Sequence, residues 1–560
     1  MAGPEGADQA PDADDSAANG TDGSAAGDGD DHLTADPEGD GQAGLDGDEQ
    51  PTGDVDSQGA GDESRERDGD KRHRRYDGEP PTRSRSGDGL RDGPGRRNWS
   101  AQSPSERQRT ADPPRRAAYD LLRAVDGGAY ANLALPAMLT ERRISGRDAA
   151  FATELGYGTI RMQGQYDAVI GRVAGRDEID PEVMDILRLG LHQIGAMRVP
   201  DHAAVAATVA IAREAVGAGS AGFVNAVLRA VTERTYEAWL DEVAPADDDS
   251  VEVLAIRHSH PAWVIRALRQ ALIVAGREAE DLVAVLTADN GQPPLTLAAR
   301  PGLIKADQLA AQVEALSKRP AGRGRFAPSA VIMERGAPGD LMAVRQGRAG
   351  VQDEGSQLVA WALARAEVAD DQGRWLDLCA GPGGKAALLG GIVRDRGGHL
   401  TANEPQAHRA ELVRGAVKHM GDAVSVTELD GREMTGQFDR VLVDAPCTGL
   451  GALRRRPEAR WRHAPSDLGA LGPLQRQLLR AGVEATRPGG IVVYATCSPH
   501  LAESRLVVED ILAEREDAAV IDARQIDLIP GDAVGEDGLV QLWTDRHGVD
   551  AMFMAFIRRA

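Results

Sequence analysis

The chain has 560 residues, of which 41% are hydrophobic, and a formal net charge of −24. This length allows two to four domains, and the acidic balance argues only weakly against nucleic-acid binding, because binding depends on local patches of charge. Three cysteines exclude a disulfide framework. No long apolar run and no basic-then-apolar N-terminal pattern is present, which excludes membrane-spanning and secreted classes and predicts a cytoplasmic protein.

Residues 1–110 predict a disordered acidic tail. The first fifty residues hold fifteen acidic side chains and no lysine or arginine, and the rest is mostly Gly, Ala and Ser. Such a segment cannot bury enough apolar surface to offset the entropy of ordering it. The basic run Lys71–Arg75 lies late in this tail, and we interpret it as a solvated charge cluster rather than an RNA contact.

Residues 111–245 have the periodicity of an all-helical domain with bundle packing. Asp112-Pro113 and Asp180-Pro181 each predict a helix start, because Asp caps free amides and Pro is tolerated in the first turn. Apolar residues then recur at helical spacing: Ala118, Leu121, Leu122 and Val125; Val183, Ile186, Leu187, Leu191 and Ile194; Val224, Val227, Leu228 and Val231. We find no catalytic constellation in this domain.

Residues 246–345 mix helix and strand and predict a small α+β module. Leu295–Leu297 follows a Pro-Pro turn and is typical of a strand, Ala310–Leu316 is typical of a helix, and Val331–Met333 of another strand. We interpret Gly322–Arg325 as a flexible basic loop.

Residues 346–560 alternate helices and strands, which is typical of a doubly wound parallel sheet. The pattern predicts helices over 357–366 and 406–419 and from Gln475, and strands over 375–378, 399–402, 424–427, 440–443 and 490–495. Residues 539–543 and 551–557 predict a terminal antiparallel hairpin. A parallel sheet with that ending is more typical of methyltransferases than of dinucleotide dehydrogenases.

A glycine-rich loop follows the first of these strands, in Asp377-Leu378-Cys379-Ala380-Gly381-Pro382-Gly383-Gly384-Lys385. Glycines there let the backbone turn sharply and approach a ligand at the carboxyl edge of the sheet. The loop is not a P-loop, since Ala386 follows Lys385. Glu404, Asp430 and Asp444 end the next three strands. Each acid alone is equally consistent with a turn former or helix cap, but the set favours a cofactor site, with Glu404 on ribose hydroxyls.

Two strands of the sheet end in a thiol, in Asp444-Ala445-Pro446-Cys447 and Ala495-Thr496-Cys497-Ser498. Carbon 5 of cytosine is too weak a nucleophile to take a methyl group unless a thiolate first adds to C6, and a base must later remove the C5 proton. A lone Cys at a strand end is more often a small apolar core residue. Two thiols beside a cofactor loop match both chemical steps, and local chemistry permits either one as the nucleophile.

Together these motifs resemble the Sun/Fmu (RsmB) family of bacterial RNA cytosine-5 methyltransferases, which modify 16S ribosomal RNA. Gln352–Gln357 resembles the opening of the family's catalytic domain, and Glu154–Thr159 and Phe223–Arg229 resemble its NusB-like helical domain. Residues 112–560 share the resemblance. It implies a NusB-like RNA-binding domain (111–245), a small α+β linker module (246–345) and a Rossmann-like S-adenosylmethionine methyltransferase domain (346–560). Gly381 departs from the family's loop, where a second Ala is commoner.

The resemblance also implies the roles of individual residues. Cys497 is the implied nucleophile, Cys447 assists release of the product, and Asp444 holds the cytosine through N3 or the exocyclic amine. S-adenosyl-L-methionine is expected to lie against Cys379, Ala380, Gly381, Pro382, Gly383, Gly384, Lys385, Glu404, Asp430 and Asp444. The implied partner is RNA, 16S rRNA or a small-subunit precursor, and we expect a monomer with no metal and no membrane contact.

A cluster of arginines around an aromatic residue follows the Pro-Cys motif: Arg454, Arg455, Arg456, Arg460, Trp461 and Arg462. Arginines bind phosphates, and an aromatic or guanidinium plane stacks on an unpaired base. The alternative is a charged surface loop. Because the cluster lies next to the catalytic edge, we interpret it as an RNA contact.

Two other classes of function compete with this interpretation. One is a NusB-like RNA-binding factor without catalysis, against which the intact Cys447, Cys497 and Asp444 argue. The other is a DNA cytosine-5 methyltransferase, but no large target-recognition insert lies between residues 447 and 497. An amino-group methyltransferase would carry Asn/Asp-Pro-Pro-Tyr where this chain has Asp-Ala-Pro-Cys.

Overall fold

The structure is a computed structural model that describes residues 111–176 and 178–560. The predicted acidic tail, residues 1–110, lies outside the described residues. Among the helices of the described chain, none combines the length and the apolar content that crossing a bilayer requires.

The first part of the described chain is a bundle of helices. They are α1 Pro113–Asp126, α2 Ala131–Glu141, α3 Gly146–Arg161, α4 Gln163–Ala174, α5 Pro181–Gly195, α6 Asp201–Ala215, α7 Ala218–Val231 and α8 Tyr236–Val243. The predicted helix starts are confirmed, because the carboxylates of Asp112 and Asp180 accept hydrogen bonds from backbone amides of the first turn, at 3.1 and 2.9 Å. The predicted apolar faces of α1, α5 and α7 meet in one buried core.

Helices and a small sheet follow. The helices are α9 Val251–Arg257, α10 Ala262–Val274 and α11 Asp281–Asp289; the sheet segment then contains β1 Leu295–Ala299, α12 Ala306–Ser317, β2 Gly322–Arg323, β3 Ala330–Met333, α13 Met342–Arg345 and β4 Ala349–Val351. The strands are antiparallel in the order β2-β3-β1-β4. The predicted flexible loop at Gly322–Arg325 is wrong for its first half, because Gly322 and Arg323 pair with the otherwise free edge of β3.

The rest of the chain forms the large sheet and its covering helices. The elements are α14 Glu354–Arg365, β5 Arg374–Asp377, α15 Gly384–Asp395, β6 His399–Asn403, α16 Ala407–Val417, β7 Val424–Thr427, β8 Phe438–Asp444, α17 Ala459–Arg462, α18 Leu468–Ala485, β9 Thr486–Thr496, α19 Arg505–Ala513, β10 Ala518–Val520, β11 Val540–Gln541, α20 Thr544–His547 and β12 Phe553–Arg559. Apolar clusters lie on both faces of this sheet.

The sheet has eight strands in the order β10-β12-β9-β8-β5-β6-β7, with β11 paired to β12. Strands β5 to β9 are parallel, and β12 is antiparallel to β9, β10 and β11. The predicted fold class is confirmed: a helical domain, a small α+β segment and a Rossmann-like domain that ends in antiparallel strands.

Three details of the predicted pattern change. The predicted terminal hairpin is short, because its first strand, β11, has two residues and pairs with only two residues of β12. On its other side, β12 pairs with β9 over six residues. Strand β10 is an additional edge strand that the sequence pattern did not indicate. Helix α18 begins at Leu468 rather than Gln475 and continues through Pro473. None of these changes moves the carboxyl edge of the parallel strands, where β5, β6, β8 and β9 end side by side.

Candidate active site

The glycine loop connects β5 to α15 at the carboxyl edge of the sheet. Its backbone is fixed by hydrogen bonds from the Ala380 amide to the Asn403 carbonyl, at 2.8 Å, and from the Gly383 amide to the Ala380 carbonyl, at 2.7 Å. Gly383 has a φ of 106°, and a Cβ there would lie 2.6 Å from the Cβ of Ala416 on α16. Only glycine therefore allows the loop to turn this close to the neighbouring helix.

Asn403, which the sequence analysis did not select, holds three loops of this edge together. Its side chain is fully buried and donates to the carbonyls of Leu378 and Leu429, at 3.2 and 3.0 Å. Its Oδ1 accepts from the Thr427 hydroxyl and the Leu429 amide. An Asn at the end of a buried strand, directly before Glu404, is the signal that would have identified it.

Three carboxylates surround the loop, and their charge is only partly neutralised. Asp377 is fully buried, and within the described chain neither of its oxygens has a hydrogen-bond partner. Burial, with a smaller contribution from nearby Asp444, raises the pKa of Asp377 to about 7. Asp444 accepts a hydrogen bond from Lys385 Nζ at 2.7 Å. Asp444 is therefore paired with a cation, whereas the oxygens of Asp377 are unpartnered within the described chain and can accept hydrogen bonds from a ligand.

Glu404 lies against the glycine loop. Its carboxylate is almost fully buried, accepts a hydrogen bond from the Gln406 amide at 3.1 Å and forms an ion pair with Arg409 at 3.3 Å. A Cβ on Gly381 would lie 2.1 Å from Glu404 Oε2. The departure of Gly381 from the commoner Ala therefore gives this carboxylate room beside the loop.

Asp430 has a different environment from the other acids. Its carboxylate is partly exposed and is held by the guanidinium of its own neighbour Arg432. The hydrogen bonds from Arg432 lower the pKa of Asp430 to about 2. Asp430 is thus already neutralised within its own turn, whereas Asp377 is not.

The two catalytic thiol candidates meet across the gap between the loops after β8 and β9. Cys447 Sγ and Cys497 Sγ are 3.5 Å apart, and both residues are half-buried. The contact with Cys447 lowers the pKa of Cys497, and the cations Arg456 and Lys385 act in the same direction against burial and Asp444. The same contact, together with burial and Glu503, raises the pKa of Cys447. The pair therefore favours a Cys497 thiolate beside a Cys447 thiol.

Cys379 differs from these two thiols. It lies in the glycine loop, and burial, with Asp377 next, raises its pKa well above the ordinary range. A neutral thiol is a poor nucleophile, which is consistent with a pocket wall.

Glu503 is a second residue that the sequence analysis missed. It is fully buried next to the thiol loops, and its Oε1 accepts from the Thr448 amide at 2.8 Å. Its Oε2 accepts from the Thr448 and Ser498 hydroxyls, at 2.5 and 2.7 Å. Gln475 on α18 donates to Oε1 at 3.3 Å and to the Pro446 carbonyl at 2.8 Å.

The arginine segment, residues 454–462, is engaged mainly in contacts within the protein. Arg454 and Arg455 both pair with Asp353 and Asp550. Arg460 is fully buried, and its Nη atoms donate to the carbonyls of Arg161, Ser259 and Asp289 and to the Asn290 side chain. The structure therefore does not support the predicted RNA contact for Arg454 and Arg460, because both side chains are buried and bonded within the protein.

The end of the segment packs against the helical domain. Trp461 donates through Nε1 to the Ile160 carbonyl at 2.8 Å. Arg462 donates to the Gly128 and Ala129 carbonyls and stacks over the ring of Tyr130, 4.4 Å from its centroid. Arg456 differs from the others, since it is exposed and its side chain makes no hydrogen bond or ion pair within the described chain.

Comparisons with known proteins point in one direction. Residues 112–233 match the family model of the NusB family, and residues 365–558 match that of the 16S rRNA methyltransferase RsmB/F. A Mycobacterium tuberculosis protein named only as a methyltransferase is 52% identical over 466 residues, which cover 82% of this chain and 99% of that protein.

A more distant relative carries a more specific name. The ribosomal RNA small subunit methyltransferase B of Pseudomonas syringae is 32% identical over 421 residues, covering 73% of this chain and 88% of that protein. Among solved structures, the crystal structure of PH0851 superposes with a TM-score of 0.67 at 20% identity, over 80% of this chain and 99% of that one. At this identity the superposition shows the fold alone.

Proposed function

We propose that this chain, which belongs to the RsmB/F family of 16S rRNA methyltransferases, methylates carbon 5 of a cytosine in RNA through a covalent bond to Cys497. The observation that carries the proposal is the pair of sulfurs, 3.5 Å apart, at the sheet edge that also holds the cofactor loop. Chemistry on a nitrogen or on a ribose oxygen would need no such pair. Cytosine C5 requires both a nucleophile at C6 and a later proton acceptor.

The cofactor is S-adenosylmethionine, and the residues at this edge fit it. This molecule carries hydroxyl, amine and ammonium donors, and the edge offers several carboxylates, of which Asp377 has no hydrogen-bond partner within the described chain. Asp377, whose oxygens lack partners, and Glu404 beside Gly381 would hold it along the glycine loop. When bound, S-adenosylmethionine supplies an electrophilic methyl group.

The first step belongs to Cys497. Its thiolate attacks C6, the new S–C6 bond uses the sulfur electron pair, and the C5–C6 π electrons move onto C5 and the ring. Lys385 and Arg456 favour the thiolate before attack. Asp444, held by Lys385 at 2.7 Å, would accept a hydrogen bond from the exocyclic amine of the cytosine. These interactions make C5 nucleophilic.

Cys447 acts as the proton acceptor after the sulfur of Cys497 is bonded to C6. While Cys497 is a thiolate 3.5 Å away, ionisation of Cys447 as well is unfavourable, and the covalent bond to C6 removes that charge from Cys497. Cys447 then loses its proton to water and accepts the proton from methylated C5. The electrons of the C5–H bond restore the double bond, and the S–C6 electron pair returns to Cys497.

We further propose that the substrate is 16S rRNA or a precursor of the small subunit. The support is the name of the Pseudomonas relative and the helical domain that matches the NusB family. In this assignment, residues 111–245 bind RNA, 246–345 link the two functional parts, and 346–560 carry the reaction. Arg456, exposed beside the thiols, would contact a phosphate near the target base.

Bisulfite sequencing of 16S rRNA tests the proposed function. RNA from cells with the gene should show one protected cytosine that becomes fully converted in a deletion strain and stays converted when Cys497→Ala is supplied. If the same cytosines are protected in all three strains, the proposed methylation is rejected and the RNA-binding alternative is favoured. Methyl transfer by the purified protein to duplex DNA but not to RNA would favour the DNA-methyltransferase alternative.

A further inference from the structure

Glu503 is a buried acid that the proposed reaction does not use. It is fully buried at the end of a short turn, Leu501–Glu503, and no arginine, lysine or histidine in the described chain lies within ion-pair distance of its carboxylate. Burial of a carboxylate without a cation is unfavourable unless hydrogen bonds compensate. Its oxygens receive four donors, from Thr448, Ser498 and Gln475.

The donors to Glu503 come from the residues that follow the two thiols. Thr448 is the neighbour of Cys447, and Ser498 is the neighbour of Cys497. One carboxylate therefore binds both thiol loops, and the two hydroxyls it holds are themselves only 3.4 Å apart. The backbone of Glu503 is anchored independently, since its carbonyl accepts from the Tyr494 hydroxyl at 2.7 Å. Movement of either loop would break at least one of these bonds.

We propose that Glu503 is a positioning residue that keeps the sulfurs of Cys447 and Cys497 in contact by binding Thr448 and Ser498 with one carboxylate. This role rests on the proposed function of the two thiols. It also accounts for the absence of a cation beside this buried acid within the described chain. An arginine or lysine there would displace some of the four hydrogen bonds that the carboxylate accepts from Thr448, Ser498 and Gln475. The shape of the thiol site then depends on a buried side chain that touches neither substrate nor cofactor.

The negative charge of Glu503 also affects the pKa of the thiols, and it acts on Cys447 more than on Cys497. The contact with Cys497 and burial raise the pKa of Cys447, and Glu503 adds to this effect. For Cys497 the contact with Cys447 lowers the pKa, and Arg456 and Lys385 act in the same direction against burial and Asp444. His500, also close to Glu503, has its pKa lowered by burial and is neutral at pH 7. The acid therefore helps to keep the proton on Cys447 in the resting protein.

Alkylation of the thiols tests this role without RNA or cofactor. Iodoacetamide is added to the full-length protein from pH 6 to 10, and each modified peptide is quantified by mass spectrometry. In the wild type Cys497 should react with a lower midpoint pH than Cys447. Glu503→Gln keeps the size of the side chain but removes its negative charge, so Cys447 should be alkylated several-fold faster at a given pH than in the wild type, and its midpoint should fall.

Methyl transfer provides a second readout. In Glu503→Gln we expect kcat to fall by about a hundredfold while the affinity for S-adenosylmethionine changes less than about twofold, because the cofactor loop is untouched. Glu509→Gln, on the exposed face of the neighbouring α19, is the matched control and should leave both readouts unchanged. Unchanged thiol midpoints and unchanged kcat in folded Glu503→Gln would overturn the proposal.

Ser498→Ala covers the case in which Glu503→Gln does not fold. It removes one donor from the carboxylate and should bring the two alkylation midpoints closer together; an unaltered pair of midpoints would count equally against the role. The alkylation result does not depend on methyl transfer. Altered midpoints in a protein that methylates no RNA would therefore support the positioning role and reject the proposed function.

Discussion

The carboxyl edge of the large sheet and the arginine segment 454–462 are adjacent in the chain, but their charged side chains differ in whether the protein itself supplies hydrogen-bond partners. At the sheet edge, both oxygens of Asp377 lack partners within the described residues, and Lys385 is the cation that contacts Asp444. In the arginine segment, Arg460 alone donates to four acceptors of the protein itself.

The difference separates a binding site from a structural contact. Groups that the fold leaves without partners are available to a ligand, while groups that the fold satisfies hold parts of the protein together. Arg460 joins α17 to the end of α3, to Ser259 and to α11, and burial lowers its pKa to about 9. The arginine segment is therefore a link between the thiol loop and the helical domain, with Arg456 as its exposed member.

The largest expected effect lies at the sheet edge. Cys497→Ala should reduce methyl transfer to RNA by about a thousandfold or more, because no thiolate remains to add to C6. Calorimetry should show that S-adenosylmethionine still binds, since the cofactor loop is intact. Residual activity within a few-fold of the wild type would remove Cys497 from the reaction.

The next effect lies in the arginine segment and concerns stability. Arg460→Met leaves buried carbonyls of three segments without a donor, and we expect the thermal midpoint to fall by about 5 °C. Arg462→Met removes a more exposed guanidinium from the same segment and should lower it by about 1 °C. Equal shifts of the thermal midpoint in scanning calorimetry would mean that the buried hydrogen bonds of Arg460 do not stabilise the fold more than the exposed ones of Arg462.

Two acids that the sequence pattern treats alike should differ in cofactor binding. Glu404→Gln should weaken S-adenosylmethionine binding by about tenfold, because a hydrogen bond to a charged acceptor is lost. Asp430→Asn should weaken it by less than about threefold, since Arg432 already neutralises that carboxylate. Calorimetric titration of both variants checks the difference, and a larger loss in Asp430→Asn would reverse the assignment.

The smallest effect concerns the exposed arginine. Arg456→Gln should weaken RNA binding a few-fold and reduce the slope of log affinity against log salt by about one, as expected when one phosphate contact is lost. Arg432→Gln removes a guanidinium that Asp430 already neutralises and should change the slope less. Filter binding at several salt concentrations distinguishes them; identical slopes in wild type and Arg456→Gln would exclude a phosphate contact.

The sequence predicted the architecture and the main motifs, because helix caps, hydrophobic periodicity and glycine loops are local features. The Asp112 and Asp180 caps and the parallel order of β5 to β9 are examples. Whether a charged side chain is buried or exposed does not depend on local sequence alone. Arg460 and Arg456 are four residues apart, and only tertiary packing makes one buried and the other exposed.

Asn403 and Glu503 were missed for a related reason. Each binds loops that are distant in sequence, and Glu503 lies 55 residues from Thr448. The place of Asn403 at a strand end marks it as a candidate, but a single polar residue gives no periodic signal, and the partners of both residues become evident only in the folded chain. The pattern did identify the reactive residue types, but not the groups that hold them in place.

The central claim is that the two adjacent thiols have different tasks, and trapping of the protein–RNA adduct tests it most directly. Cys447→Ala and Cys497→Ala are incubated separately with S-adenosylmethionine and a substrate RNA, then examined on denaturing gels and by mass spectrometry of the crosslinked peptide. We predict a stable adduct on Cys497 in Cys447→Ala, because addition proceeds while release fails, and no adduct in Cys497→Ala. An adduct on Cys447 in the Cys497→Ala protein, with none in Cys447→Ala, would contradict the assignment.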